Sequence, residues 1–252
     1  LRIRGKDFGA HARGALWFQG DGTRQWMDLA AEVDEAPVTA AKGFWVHHKM
    51  SKAAVQWLDS ALVGGKVRDG RAIVSGDLDD WPFLHNNGRF EALARIDNGQ
   101  FKFQPDWPAM DHVAADIAFI ANGFSIAGQG ALAGVQVDEF KAAIPAFSKA
   151  ELSINARAAS DAGKLLTLLR QSPLQKKYGD TLTNLSTSGP ADATFNLFLP
   201  MHKQAPATRK MAGTVTLRGA ALADKRWNLA FSRVNGKADF DDNGFTADKL
   251  KV

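Results

Sequence analysis

The chain has no cysteine, so disulfides, zinc-thiolate sites and cysteine nucleophiles are excluded together, whatever the redox poise of its compartment. No apolar run approaches the roughly eighteen residues of a membrane-spanning helix. No block of one charge stands out either. The 31 basic residues are scattered among 27 acidic ones, and the net charge of +4 (pI ≈ 9.3) comes without a basic stripe interleaved with aromatics. That distribution argues against a nucleic-acid partner. It describes a solvated outer face with a weak attraction for anionic lipid head groups. Apolar residues at 45% and charged residues at 23% are ordinary for a globular protein, and 252 residues suffice for one sizeable core in a single domain.

Motifs for catalysis are missing as well. No His-Glu-x-x-His, Gly-x-Ser-x-Gly or Walker A sequence occurs. His47 and His48 are adjacent and would point to opposite faces of a strand, while His11, His85, His112 and His202 stand singly. Gly128 to Gly134 (GQGALAG) superficially resembles a dinucleotide loop, but its third glycine is one place late and no βαβ pattern surrounds it, so it reads as strand and turn. Asp79-Asp80 and Asp241-Asp242 are neighbouring carboxylates at strand ends or turns, where Asp is favoured for local hydrogen bonds. No catalytic residue, metal ligand or cofactor is therefore assigned, and the chain is not read as an enzyme.

What the chain does have is Asn or Asp directly before Gly at positions 21, 69, 87, 98, 122, 235 and 243, mostly between stretches that alternate apolar and polar residues. Both central residues of a two-residue hairpin loop need φ > 0, which these dipeptides tolerate best. The chain therefore reads as a meander of antiparallel strands. A loop at Asp21-Gly22 sets Trp17 opposite Trp26. One at Asn98-Gly99 sets Asp97 opposite Gln100, Ile96 opposite Phe101 and Ala94 opposite Phe103. One at Asn122-Gly123 sets Ala121 opposite Phe124 and Phe119 opposite Ile126. Strands are also legible in the alternation of Leu152, Ile154, Ala156 and Ala158, then in Phe195, Leu197 and Leu199 before Pro200, in Val215 and Leu217, and in Leu229 and Phe231.

Two segments carry helical spacing. From Ser51 to Val63 the residues Val55, Leu58 and Leu62 repeat behind a capping Ser51, with Trp57 and Ala61 alongside. From Ser160 to Arg170 a second helix is expected, with Ser160 as cap, Asp161 in the first turn, and Leu165, Leu166, Leu168 and Leu169 as its apolar side; Pro173 stops it. An internal echo is also visible. Asp69-Gly70 leads into a strand over 71–78 and then Asp80-Trp81-Pro82, while Asn98-Gly99 leads into one over 100–104 and then Asp106-Trp107-Pro108. Each Trp-Pro is expected to end a strand, either as two similar corners or as a repeated hairpin unit. The alternating strands by themselves leave a closed β-sandwich or barrel open as the architecture.

The stretches Gly70 to Phe83 (GRAIVSGDLDDWPF), Gly88 to Phe119 and Phe124 to Ile144 (FSIAGQGALAGVQVDEFKAAI) resemble the AsmA-like YhdP family of Gram-negative envelope proteins. So do Leu165 to Leu174 (LLTLLRQSPL), Ser188 to Met201 (SGPADATFNLFLPM), Gly213 to Asp224 (GTVTLRGAALAD) and Arg233 to Leu250 (RVNGKADFDDNGFTADKL), in the family's order. The resemblance implies an inner-membrane-anchored protein whose periplasmic part is a long, twisted, open sheet curled into a trough, related to bridge-like lipid transfer proteins and moving phospholipid toward the outer membrane. It also implies that residues 1–252 are one β-rich segment of a longer protein, whose contacts with the inner and outer membranes lie in other parts. On that reading the apolar strand face would line a groove for acyl chains through Ile96, Phe101, Phe103, Ile117, Phe119, Phe124, Ile126, Leu152, Ile154, Phe195, Leu197, Leu199, Val215, Leu217, Leu229 and Phe231. Phospholipid or another acyl lipid is the expected partner. A packed sandwich serving as scaffold or sugar-binding module is the alternative, and a hydrolase using an Asp pair ranks last.

Overall fold

A computed structural model describes residues 1–45, 47, 50–85, 87–201, 208–247 and 250–252. His48 and His202 fall outside them. The described residues form one open, antiparallel sheet of fifteen strands: β1 (Arg2–Arg4), β2 (Gly9–Trp17), β3 (Trp26–Val33), β4 (Ala36–Pro37), β5 (Leu62–Asp77), β6 (Gly88–Phe101), β7 (Met110–Ile120), β8 (Gly123–Leu132), β9 (Val135–Ile144), β10 (Glu151–Asp161), β11 (Leu185–Ser188), β12 (Pro190–Pro200), β13 (Lys210–Asp224), β14 (Leu229–Asp241) and β15 (Phe245–Thr246). Neighbours in sequence are neighbours in space, save that β4 pairs with β5 and β11 extends β12 along β13. Strands β1 and β15 are separate edges, so the sheet does not close into a barrel.

Period-two alternation gives the sheet one apolar face. Cross-strand pairing lines up Ala94, Ile117, Ile126, Ala142, Ile154, Leu197 and Met211 in one row. The next row runs Ile96, Ala115, Gly128, Phe140, Ala156, Phe195, Gly213 and Phe240, so each large side chain from Phe140 onward stands beside a small one. Gly213 shows why: a Cβ there would sit 2.2 Å from the Phe240 ring. The opposite face is polar and carries exposed ion pairs such as Arg157 with Glu139 (3.2 Å) and Arg68 with Asp97 (3.0 Å).

The sheet bends along a line of bulges. Register shifts occur between β5 and β6 around Gly64, between β6 and β7 at Gly99, between β7 and β8 after Asp111, and between β8 and β9 after Gly128. Gly65, at φ +112°, lies so close to Gly99 that a Cβ would meet the Gly99 Cα at 2.6 Å. Asn98 and His112 have φ of 49° and 53°, and Nδ1 of His112 lies 3.1 Å from Oδ1 of Asn98. Bulges add local twist and re-aim a strand, which curls this sheet into a trough.

These bulges correct one expectation from the sequence. Asn98-Gly99 is no hairpin loop: β6 runs through it, Ile96 pairs with Val67 and Ala115, Phe101 pairs with Leu62 and Met110, and Phe103 lies past the strand's end. Asp69-Gly70 and Asn235-Gly236 are likewise interior to β5 and β14. Some bulges, like the primed hairpin turns, place a residue at φ > 0, as Asp69, Asn98 and Gly236 are here, so the dipeptide marks the backbone conformation without saying whether the chain reverses. At Asn122-Gly123 the reversal is real but sits one residue earlier: Ile120 pairs with Gly123 and Phe119 with Phe124. That shift of two in register keeps every side chain on its expected face. Trp17 does pair with Trp26, across a longer loop.

The helices sit on the concave face. α1 (Lys52–Ala61) is capped by Ser51, whose Oγ accepts the Ala54 N–H at 3.1 Å; Leu62 and Val63, expected in this helix, begin β5 instead. α2 (Ala162–Arg170) is capped by Asp161 and not by Ser160, which still belongs to β10. The Asp161 carboxylate accepts N–H groups from Gly163 (2.8 Å) and Gly189 (2.6 Å), joining the two ends of the helical insertion between β10 and β12. Beyond the two helices expected there are two more among the described residues, a 3-10 helix over Val38–Phe44 and α3 (Leu174–Asn184). Pro173 reads as a stop signal, yet it also opens α3, because proline is tolerated where a helix N–H has no partner. Only Leu174 and Leu182 of α3 are buried, too few to show a period.

Candidate functional site

The concave face is roofed over its middle. α1 contributes Trp57 and Leu58, α2 contributes Leu165, Leu168 and Leu169, and the β6–β7 connection contributes Phe103 and Trp107. Nε1 of Trp57 donates to the Phe103 carbonyl at 2.9 Å, and Trp107 packs on Phe103 and on Phe195 of the far wall, with centroids 5.4 and 5.3 Å apart. The connection therefore crosses from β6 to β12. Beneath the roof lies a cleft of about 1250 Å³, counting the part open to solvent.

Its lining is apolar apart from Arg157 and Thr194, and the Arg157 guanidinium is on the outer face with Glu139. Such a surface has nothing with which to hold a charge or hydrogen-bond a sugar, but it offers an aliphatic chain contact on every side. Of the sixteen groove residues expected, Phe101, Phe103, Phe124, Ile126, Ile154, Phe195 and Val215 line this cleft. Phe119, Leu152, Leu197 and Leu199 belong to the core around it; Ile117 packs both there and with Ile96, Val38 and Leu62. Leu217 packs with Val135, Leu165 and Val234. Leu229 and Phe231, 47% and 39% exposed, lie on β14 beyond its bulge and outside these clusters. The lining residues missed in the sequence include Trp107 and Leu168 of the roof and Met110, Leu132, Phe140 and Phe240 of the sheet. The leucines of α2 were legible as an apolar side, but as packing and not as lining.

The two Asp-Trp-Pro corners do similar work from opposite strand ends. Trp107 is buried in the roof, and Trp81, in the β5–β6 connection, packs edge-on against Phe83 and at a tilt on Phe90, with centroids 5.6 and 4.4 Å apart. The neighbouring acids are tied into turns. Asp79 accepts the Arg24 N–H at 2.9 Å. N–H groups of Asn243 and Gly244, at 2.6 and 2.9 Å, hold the Asp241 carboxyl below the usual range, while Asp242 accepts the Met211 N–H at 2.7 Å. Among the described residues no three His, Asp or Glu side chains are grouped to hold a metal ion, and no helix is long and apolar enough to cross a membrane.

Comparison with known proteins agrees with this picture. The family model "YhdP protein" matches residues 2–252. The chain is 28% identical over 242 residues, 95% of its length, to the "Intermembrane phospholipid transporter YhdP" of Escherichia coli (strain K12). It spans 19% of that relative's length. No solved structure matches. With a family model matching from one end of the chain to the other, this trough-shaped sheet belongs to the YhdP family.

Proposed function

We propose that this chain is a conduit segment for lipid transfer, sheltering phospholipid acyl chains in its apolar trough as part of a periplasm-crossing, inner-membrane-anchored protein that supplies the outer membrane. The observation that carries the reading is the roofed cleft, whose lining is apolar but for Thr194 and Arg157, the latter with its guanidinium on Glu139 of the outer face, while its floor continues in apolar rows across the sheet. Hiding acyl chains from water is worth about 0.8 kcal/mol per CH₂, so a diacyl lipid without shelter faces a penalty on the order of 20 kcal/mol. A carrier has to replace the bilayer, with no bond to form or break. Rows of near-equivalent apolar contacts let a chain advance with little free-energy change per step. Head groups would project toward water. The edges at β1 and β15 would continue into flanking parts of the longer protein, and those parts would meet the two membranes.

The test is native mass spectrometry of the purified protein, where co-purifying phospholipid is expected and persistently lipid-free material would sink the proposal. In the full-length protein, Phe103→Asp or Phe119→Asp is expected to stall envelope lipid supply at normal expression. Unaffected supply would remove the mechanism.

A further inference from the structure

Beside the apolar cleft, and sharing Trp107 with it, lies a second and mixed cavity of about 510 Å³, again counting the part open to solvent. Its base is apolar, formed by Trp107, Leu174, Leu197 and Met211, all buried. Its rim carries Gln104, Lys177, Arg209 and Asp242. The Asp242 carboxylate is occupied by the Met211 N–H (2.7 Å) and by Nη2 of Arg209 (3.4 Å). Lys177 uses one donor on the backbone carbonyl of Asp242 and lies 5.2 Å from the Tyr178 ring; among the described residues it has no carboxylate partner. Asp241, within electrostatic reach of Lys177, is turned into its own loop. The nearby pair Lys176 and Asp106 (3.8 Å) neutralises itself.

Lys177, and Arg209 with the donors that its ion pair to Asp242 (3.4 Å) leaves spare, thus line a cavity that shares the Trp107 side chain with the greasy cleft. That juxtaposition matches an amphiphile with a phosphate at one end and acyl chains at the other. We infer that Lys177 and Arg209 form a head-group site for the phosphate diester of a lipid whose chain passes Trp107 into the cleft. The inference rests on the conduit reading and adds a holding point to it. Lys and Arg bind phosphate oxygens through charge-assisted hydrogen bonds, and an exposed rim lets the remainder of the head group stay in water.

The experiment cross-links the purified protein to diazirine-tailed phosphatidylglycerol or to the matching diacylglycerol, each presented in dodecyl maltoside micelles, and measures labelled peptides from residues 101–110. The phospholipid is expected to label about fivefold more than the diacylglycerol, as one or two charge-assisted contacts allow. Lys177→Gln with Arg209→Gln should remove that excess and leave diacylglycerol labelling unchanged, while Lys177→Arg should retain it. Equal labelling by both probes in the unaltered protein overturns the head-group site and spares the conduit. Absence of labelling by either probe overturns both. Loss of the excess on adding millimolar inorganic phosphate would reassign the site to the free anion.

Discussion

The wing formed by β1 to β5 and the roofed middle from β6 to β13 share one alternation but differ in what stands on the apolar face. A single row across the sheet shows it: Ala12, Ala31, Ala72 and Ala92 in the wing and at its junction are followed by Phe119, Phe124 and Ile144 in the middle. The middle packs large side chains against three helices and the Trp107 connection, and buries Leu152 and Ile144 completely. The wing leaves Leu16, Trp17 and Phe18 exposed at one end of its strands. Period decides which face is apolar; side-chain volume and the presence of a roof decide how deeply it is buried.

The largest expected effect separates the two regions by cargo. Phe103→Asp places a carboxylate in the roofed cleft, where burial without a partner is costly, and co-purifying lipid is expected to fall at least about tenfold. Leu29→Asp, on the half-buried wing, should lower it much less; equal losses would mean that the guest occupies both regions alike.

Stability sharpens the same contrast. Leu152→Ala is expected to cost about 2–5 kcal/mol in denaturant unfolding, against about 0.5 kcal/mol or less for Leu16→Ala. If the two costs agree, the roof contributes no extra burial. Gly65→Ala should cost about 1–3 kcal/mol, because φ is +112° and its Cβ would meet the Gly99 backbone at 2.6 Å. Gly20→Ala, at φ +78° in an open wing loop, should cost about 1 kcal/mol. A Gly65→Ala protein as stable as the parent would show that the bulge line relaxes freely.

The smallest effect concerns pH. The Gly189 N–H lowers the Asp161 pKa most, opposed by desolvation and aided by the N–H groups of Gly163 and Lys164 and by the Lys164 charge. A lowered folded pKa stabilises the folded chain above the unfolded value of 3.8, and that contribution is lost as pH falls through the folded value. Amide exchange in α2 and α3 should therefore accelerate below about pH 4 relative to β8 and β9. Asp161→Ala should show the faster exchange already at pH 6. Equal protection in both proteins at pH 6 would mean that the carboxylate does not hold the insertion.

Parts of this arrangement were legible because they are local. Ser51 and the Val55, Leu58 spacing specify α1, and the alternation of Leu152, Ile154 and Ala156 specifies β10, since each depends only on neighbours along the chain. Trp17 opposite Trp26 follows from the centre of one loop. Asn98-Gly99 and α3 are not legible in this way: whether a φ > 0 pair reverses the chain depends on the strand beside it, here Gly65, and α3 is held by two buried leucines and not by a strong pattern of its own. Phe140 and Phe240 carry no local sign of being lining, because what faces them comes from distant segments.

By itself, then, the sequence determined the period of each strand, the face that is greasy, the caps of its best helix and the family to which the chain is similar, all of which are written in short-range spacing. Tertiary structure alone decided that the strands bend along a bulge line instead of closing, that two helices and a tryptophan connection roof the middle, and that Lys177 and Arg209 line a second cavity beside it. Those outcomes depend on contacts between residues tens of positions apart, and the free energy of such contacts is set by what packs opposite, which no local pattern encodes.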